Sequence, residues 1–172
     1  GISGAQMFIL EDIPKKVEEY GKNTCFFNTN CSMQEPLIKA SVDAGAIVAQ
    51  QCCPSPYHGY PGALGISVDE EHSGNTEYII NAIREKVAEK NGTGRFSTWE
   101  TPVNMTIIES GVEYAIKYCN GETNGKNDPE ALKSAFDAVA GTDKVKMSNY
   151  KSLVTGEEVP NVYMILENYV NF

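Results

Sequence analysis

The chain has 172 residues, of which 41% are hydrophobic and 22% charged, and its formal net charge is −9. This composition is typical of a folded globular domain, not of a disordered chain, and no apolar run approaches the roughly 20 residues of a membrane helix. The negative charge argues against a nucleic-acid partner, because phosphate contacts need clustered Lys and Arg. Because 172 residues suit one domain with a sizeable core, we expect a single α/β lobe over 1–172. Its start at Gly1, without an initiator Met, predicts a fragment of a longer protein.

The first part of the chain predicts a strand–helix–strand unit. A helix over 3–20 precedes the apolar strand 24–27, which ends in the polar turn 28–31. A capping-box pattern then starts a helix over 32–45, and a second apolar strand follows at 46–49. Such units have parallel strands joined by a right-handed crossover, so the polar turn is expected at the carboxyl edge of the sheet, where open parallel sheets bind ligands.

The remainder of the chain continues this alternation. We predict a helix over 76–90, a strand over 95–99, a helix beginning at 101–102, another beginning at 128–129 and a strand over 162–166. Helices and strands in this order are typical of a three-layer α/β/α sandwich with a mostly parallel sheet.

The polar turn is the first candidate site. Asn28, Thr29 and Asn30 follow a strand and precede a helix amino terminus, where free N–H groups add further donors. This combination suits a neutral or anionic polar ligand, although a plain strand-to-helix turn has the same composition. Trp99 ends the strand predicted at the same edge, where its ring would either stack on a ligand or fill the core.

The loop after the second strand is the chemically sharpest segment. Cys52, Cys53, Pro54 and His58 lie on it, and Cys31 lies on the neighbouring turn. Thiolates and imidazole are ligands that zinc prefers, but the usual CxxC spacing is missing and adjacent cysteines chelate one ion awkwardly. We therefore expect neither a metal nor another cofactor. A cysteine nucleophile with His58 as base is a further alternative, but no local motif supports it, so we expect no enzyme.

Three segments carry a family resemblance: FFNTNCSMQEPLIKA, GAIVAQQCCPSPYHGYPGALGI and GEEVPNVYMILENYVNF. They resemble an uncharacterised bacterial domain-of-unknown-function family of type 1 periplasmic-binding-protein-like chains, some of them lipoproteins. The resemblance implies a Rossmann-like lobe, the carboxyl-terminal part of a two-lobed molecule whose cleft closes on a small ligand. The cleft would be lined by Asn28, Thr29, Asn30, Cys31, Cys52, Cys53, Pro54 and Trp99.

The resulting functional hypothesis is ligand recognition. The chain is expected to be the solute-binding lobe of a receptor with an unknown ligand, outside the cytoplasm and membrane-anchored in the full-length protein. Its expected partners are a small molecule, the missing amino-terminal lobe, a membrane transporter and, for the isolated fragment, a second copy of itself. One alternative is the ligand-sensing domain of an intracellular regulator. The other is a metal- or thiol-dependent enzyme that uses Cys52, Cys53 and His58.

Overall fold

The computed structural model describes all 172 residues, and their packing forms two compact units. The first unit comprises Gly1–Pro102 with Tyr169–Phe172, and the second comprises Val103–Asn168. None of the helices combines the length and the apolar character that crossing a membrane requires.

Six α-helices and four strands make up the regular structure. The helices are α1 (Ile2–Tyr20), α2 (Gln34–Ala44), α3 (Tyr60–Leu64), α4 (Thr76–Glu89), α5 (Val103–Cys119) and α6 (Pro129–Ala140), and the 3₁₀-helix Cys31–Met33 precedes α2. The strands are β1 (Ser97–Trp99), β2 (Lys146–Lys151), β3 (Glu158–Leu166) and β4 (Tyr169–Asn171).

The core of the first unit lies between α2, α4 and the chain near β1. Helix α4 buries Ile79, Ile83 and Val87 completely, which is the pattern of an amphipathic helix with one face in the core. The same cluster includes Ile38 of α2 and Phe96, which immediately precedes β1. These contacts fix α2 and β1, the two elements that flank the candidate site.

The predicted α/β/α sandwich with a mostly parallel sheet is wrong. Helices take up 47% of the chain, and the named strands form two separate antiparallel pairs, β1 with β4 and β2 with β3. The predicted strands 24–27 and 46–49 contribute only isolated parallel bridges, Cys25 with Ile47 and Val48 with Phe96. Strands β2 and β3 pair antiparallel because a short turn connects them, whereas parallel pairing requires a long crossover.

Helix starts and ends were predicted more closely. Gly45 ends α2 with φ 71° and ψ 28°, a left-handed conformation that glycine adopts without a steric penalty. The capping box predicted at 32–35 does not form, because the side chain of Asn30 instead caps the preceding 3₁₀-helix. In the second unit, Asp128 caps α6, and α5 packs along α6.

Candidate functional site

Three chain segments meet at one edge of the first unit. The parallel bridges place the chain at Cys25 beside Ile47, and Val48 beside Phe96. All three segments run in the same direction, so the turn 28–31, the loop 51–58 and Trp99 leave at the same end. The expected meeting of the two unusual loops is therefore present, although the sheet expected beneath them is not.

Side-chain hydrogen bonds fold the turn back on itself. Asn28 Nδ2 donates to the carbonyl oxygen of Asn30 at 2.5 Å, and Asn30 Oδ1 accepts from the backbone N–H of Ser32 at 2.9 Å. Asn30 is thus committed to local structure, and Thr29 is exposed. The second polar atom of Asn28 differs from these, because Oδ1 is buried and has no hydrogen-bond partner.

Gln51 holds the loop that carries the cysteines. Its side chain is completely buried, and Nε2 donates to the carbonyl oxygens of Ser55 at 2.8 Å and His58 at 3.0 Å. Its Oε1 accepts from Thr98 Oγ1 at 2.6 Å. Because both N–H groups and the carbonyl oxygen of the Gln51 amide are hydrogen-bonded, the loop 51–58 is held in one shape.

Gln34 is a second buried glutamine beside this loop. Its Oε1 accepts from the backbone N–H of Cys52 at 3.3 Å, which identifies that atom as oxygen because an N–H can only donate. The other amide atom, Nε2, is buried without a partner. Sequence reasoning missed both glutamines. Their only signal was a polar residue on an otherwise apolar helix face and another directly after an apolar strand.

Trp99 is buried, with 6% of its surface exposed. Its ring meets Tyr169 edge to face at a centroid distance of 6.5 Å, so it acts as an anchor between β1 and β4. The indole Nε1 is nevertheless buried without a partner. A buried donor without a partner costs roughly 1–3 kcal/mol, so Trp99 has both a structural role and an unused hydrogen-bond donor.

The cysteines of the two loops form one cluster. Cys31 Sγ lies 3.3 Å from Cys52 Sγ and 3.5 Å from Cys53 Sγ. A ring nitrogen of His58 completes a group in which the ligand atoms of Cys31, Cys52 and His58 all lie within 4.8 Å of one another. Pro54 is buried beside them. The structure therefore brings together the residues that the sequence placed on two separate loops.

A groove of about 570 Å³ between α2, α3 and α4 is a competing location for a site. Most of its lining charges already pair with one another: Lys90 Nζ lies 3.2 Å from an oxygen of Asp43, and Lys86 Nζ lies 2.9 Å from one of Glu89. These partly exposed ion pairs are typical of a solvated surface. The edge formed by the turn 28–31, the loop 51–58 and Trp99, which we call the loop edge, contains unpartnered buried polar atoms. It is the stronger candidate for a functional site.

Comparison with known proteins places the chain in an uncharacterised group. A family model described as "Protein of unknown function (DUF3798)" matches residues 1–97, a range that includes both loops of the site. This finding supports the expected membership of an uncharacterised family, and the binding-protein character of that family stays a prediction. No curated protein matches the sequence.

A solved structure with a similar fold is known. It is the crystal structure, at 1.86 Å resolution, of a protein from Clostridium difficile 630 described as a "putative transcriptional regulator". The match has a TM-score of 0.78 at 22% sequence identity, and it covers 99% of this chain and 47% of the other. The chain thus spans about half the length of the protein that it matches.

Proposed function

The chain belongs to the DUF3798 family of proteins of unknown function, and we propose that it is the ligand-sensing part of a regulatory protein. In this proposal a small polar molecule binds at the loop edge, beside Asn28, Gln34 and Trp99. The description of the Clostridium difficile neighbour favours a regulator over a transport receptor. With a net charge of −9, this chain lacks the clustered cations that contact DNA phosphates, so we assign it to sensing.

The observation that carries the proposal is the set of unpartnered polar atoms at one edge. Asn28 Oδ1 needs a donor, whereas Gln34 Nε2 and Trp99 Nε1 need acceptors. Buried polar atoms in folded proteins are almost always hydrogen-bonded, so three such atoms on adjoining segments favour a bound polar partner. A molecule with several hydroxyl groups, or an amino or hydroxy acid, offers donors and acceptors together.

Binding would act on the protein by favouring one arrangement of the site over another. A ligand shifts a conformational equilibrium only through contacts that differ between the two states. A ligand that bonds these three atoms would join the turn 28–31, helix α2 and strand β1, which are otherwise linked through the loop 51–58. Ligand binding would therefore reduce the motion of these segments relative to one another, and this change would be the signal.

The only tryptophan of the chain supplies the assay, because Trp99 lies within the proposed site. A panel of amino acids, hydroxy acids and monosaccharides should include compounds that change Trp99 fluorescence and raise the unfolding temperature of the protein. A ligand at one hundred times its dissociation constant stabilises the native state by about 2.7 kcal/mol. If no compound of these classes does either, the proposal is wrong.

Variants then locate the site. Asn28→Ala should weaken a positive compound about 3- to 10-fold, which corresponds to the loss of one ordinary hydrogen bond. Trp99→Phe should weaken it similarly, with binding followed by the unfolding temperature. Asn104→Ala changes an exposed Asn of α5, outside the loop edge, and serves as the control. Equal affinity in the parent chain and in all three variants would place the ligand elsewhere and contradict the proposed site.

A further inference from the structure

We propose that Cys31, Cys52 and His58 form a binding site for a thiophilic metal ion, and that Zn²⁺ is the ion this ligand set suits best. The site goes beyond the sensing function, because a metal held by these side chains does not require an organic ligand at Asn28 or Trp99. The spacing of the cysteines along the chain argued against a metal. The folded arrangement argues for one.

The distances fit a tetrahedral ion. With a Zn–S bond of about 2.3 Å, two thiolates of a tetrahedral site lie about 3.8 Å apart. The sulfurs of Cys31 and Cys52 are 3.3 Å apart, and Cys53 places another sulfur 3.5 Å from Cys31. A displacement of about half an ångström in the exposed side chain of Cys31 would reach the coordinated spacing.

The hydrogen bonding of His58 sets the tautomer that a metal requires. Its Nδ1 lies 2.8 Å from the carbonyl oxygen of Cys53. A carbonyl oxygen can only accept, so Nδ1 carries the hydrogen and the neutral ring keeps its lone pair on Nε2. A metal-binding histidine almost always donates its other ring N–H to a carbonyl or carboxylate in this way.

The site is held in place before any ion arrives. Gln51 fixes the carbonyl oxygens of Ser55 and His58, and Gln34 fixes the backbone N–H of Cys52. Both glutamines are completely buried. Ligands on a rigid frame lose little conformational freedom on binding, which favours affinity.

The placement also explains why the CxxC rule does not apply. Cys31 and Cys52 lie on separate segments, 21 residues apart, so the fold and not a tight turn brings them together. Cys31 is exposed, and Cys52 and His58 are half-buried, which leaves a path for an ion from solvent. Three protein ligands with a further coordination position is an arrangement found in Cys₂His zinc sites.

The test is metal binding by the full chain, reduced and freed of metal. Zn²⁺ is titrated in competition with a chromophoric chelator, and Co²⁺ is used as a spectroscopic probe. We expect one Zn²⁺ per chain, and with Co²⁺ both thiolate-to-metal charge-transfer bands and the intense visible bands of tetrahedral coordination. Cys31→Ser, Cys52→Ser and His58→Gln should each weaken Zn²⁺ binding by more than about 100-fold. A factor of about 100 is the largest loss expected when the replaced residue only supports a metal ligand.

The chain offers matched controls for each ligand type. Cys25→Ser and Cys119→Ser change exposed cysteines outside the cluster, and His72→Gln changes the remaining histidine. These variants should bind Zn²⁺ like the parent chain. Because Cys31 is exposed, Cys31→Ser is expected to keep the fold, and its unfolding temperature without metal verifies this.

Two results would overturn the proposal. One is reduced protein that shows no thiolate-to-cobalt bands. The other is Zn²⁺ affinity that stays the same when Cys31, Cys52 or His58 is replaced, or that falls equally when Cys25 is replaced. Neither result bears on the fluorescence and unfolding assays with Asn28 and Trp99 variants, so failure of the metal site and failure of the sensing function are distinguishable.

Discussion

Tyr60 shows how a single buried hydroxyl ties stability to pH. Its side chain is completely buried, and its hydroxyl donates to the carbonyl oxygen of Ser97 at 3.0 Å. Burial raises the pKa of Tyr60 above its ordinary value of 10.0, because the phenolate would lose its hydration. The folded protein therefore keeps a proton that the unfolded chain releases in alkaline solution.

We predict that Tyr60 makes the protein sensitive to alkaline pH. The contribution is complete below pH 10.0, the ordinary pKa of tyrosine. Above it, stability should fall by up to about 1.4 kcal/mol per pH unit, since the unfolded state alone ionises. Denaturant unfolding across this range should show a shallower fall in Tyr60→Phe than in the parent chain.

The Tyr60→Phe variant also has a cost at neutral pH. Loss of its hydrogen bond to Ser97 should lower the free energy of unfolding by about 0.5–1.5 kcal/mol. The control is Tyr20→Phe, because Tyr20 is 65% exposed. Its replacement should change neither the free energy of unfolding at neutral pH nor the fall of that free energy at alkaline pH. An alkaline slope that is identical in Tyr60→Phe and the parent chain would contradict the assignment to Tyr60.

At the residue level, the sequence revealed the chemistry of the site but not its supports. Cys31, Cys52 and His58 were recognisable as unusual residues on two loops that a parallel unit brings together. Gln34 and Gln51 were not, because their importance depends on complete burial and on hydrogen bonds to specific backbone atoms. Those partners are 4 and 18 residues away along the chain, and no sequence pattern specifies such pairs.

At the scale of secondary-structure elements, two glycines allow a matched pair of substitutions, Gly92→Ala and Gly111→Ala. A Cβ added at Gly92 would lie 2.9 Å from a ring carbon of Phe96 and 3.0 Å from a methyl group of Val87, both core residues. A Cβ at Gly111, in the interior of α5, would meet no atom within 4 Å. The same chemical change should therefore have opposite effects at the two sites.

We predict that Gly92→Ala destabilises the protein by about 1–3 kcal/mol, because the packed core must shift. Gly111→Ala should stabilise it by about 0.5–1 kcal/mol, because alanine loses less backbone entropy than glycine in a helix. Chemical denaturation of both variants measures the two effects. The two changes in the free energy of unfolding need not be equal in size. A stabilising Gly92→Ala would show that the contacts with Phe96 and Val87 are loose.

The elements were predictable to different degrees for a physical reason. Helices carry their signal locally, in periodic apolar residues and in caps such as Asp128 and Gly45, so the five predicted helices lie close to their expected positions, whereas the short α3 was not predicted. Strands depend on a partner elsewhere in the chain. The apolar run 24–27 therefore read as a strand, although the structure gives it only a single bridge, at Cys25.

At the scale of the whole molecule, the sequence pattern of α5 has an unexpected outcome. Its apolar residues recur at helical spacing and predict the helix correctly, yet they face solvent. The exposed members of this stripe are Met105, Ile108, Val112 and Ile116, each more than half exposed. An exposed apolar stripe on a helix is a candidate surface for contact with another protein.

We predict that the isolated chain self-associates reversibly through this stripe as its concentration rises. Val112→Lys should weaken the association at least about tenfold, because burial of one such side chain contributes roughly 1.5–3 kcal/mol and a symmetric dimer contains each residue twice. Sedimentation velocity over a concentration series measures the effect. Asn104→Lys adds the same charge to an exposed polar position of α5 and controls for electrostatic repulsion. If both variants weaken association equally, charge and not the stripe is responsible; if the parent chain stays monomeric throughout, the exposed stripe does not drive self-association.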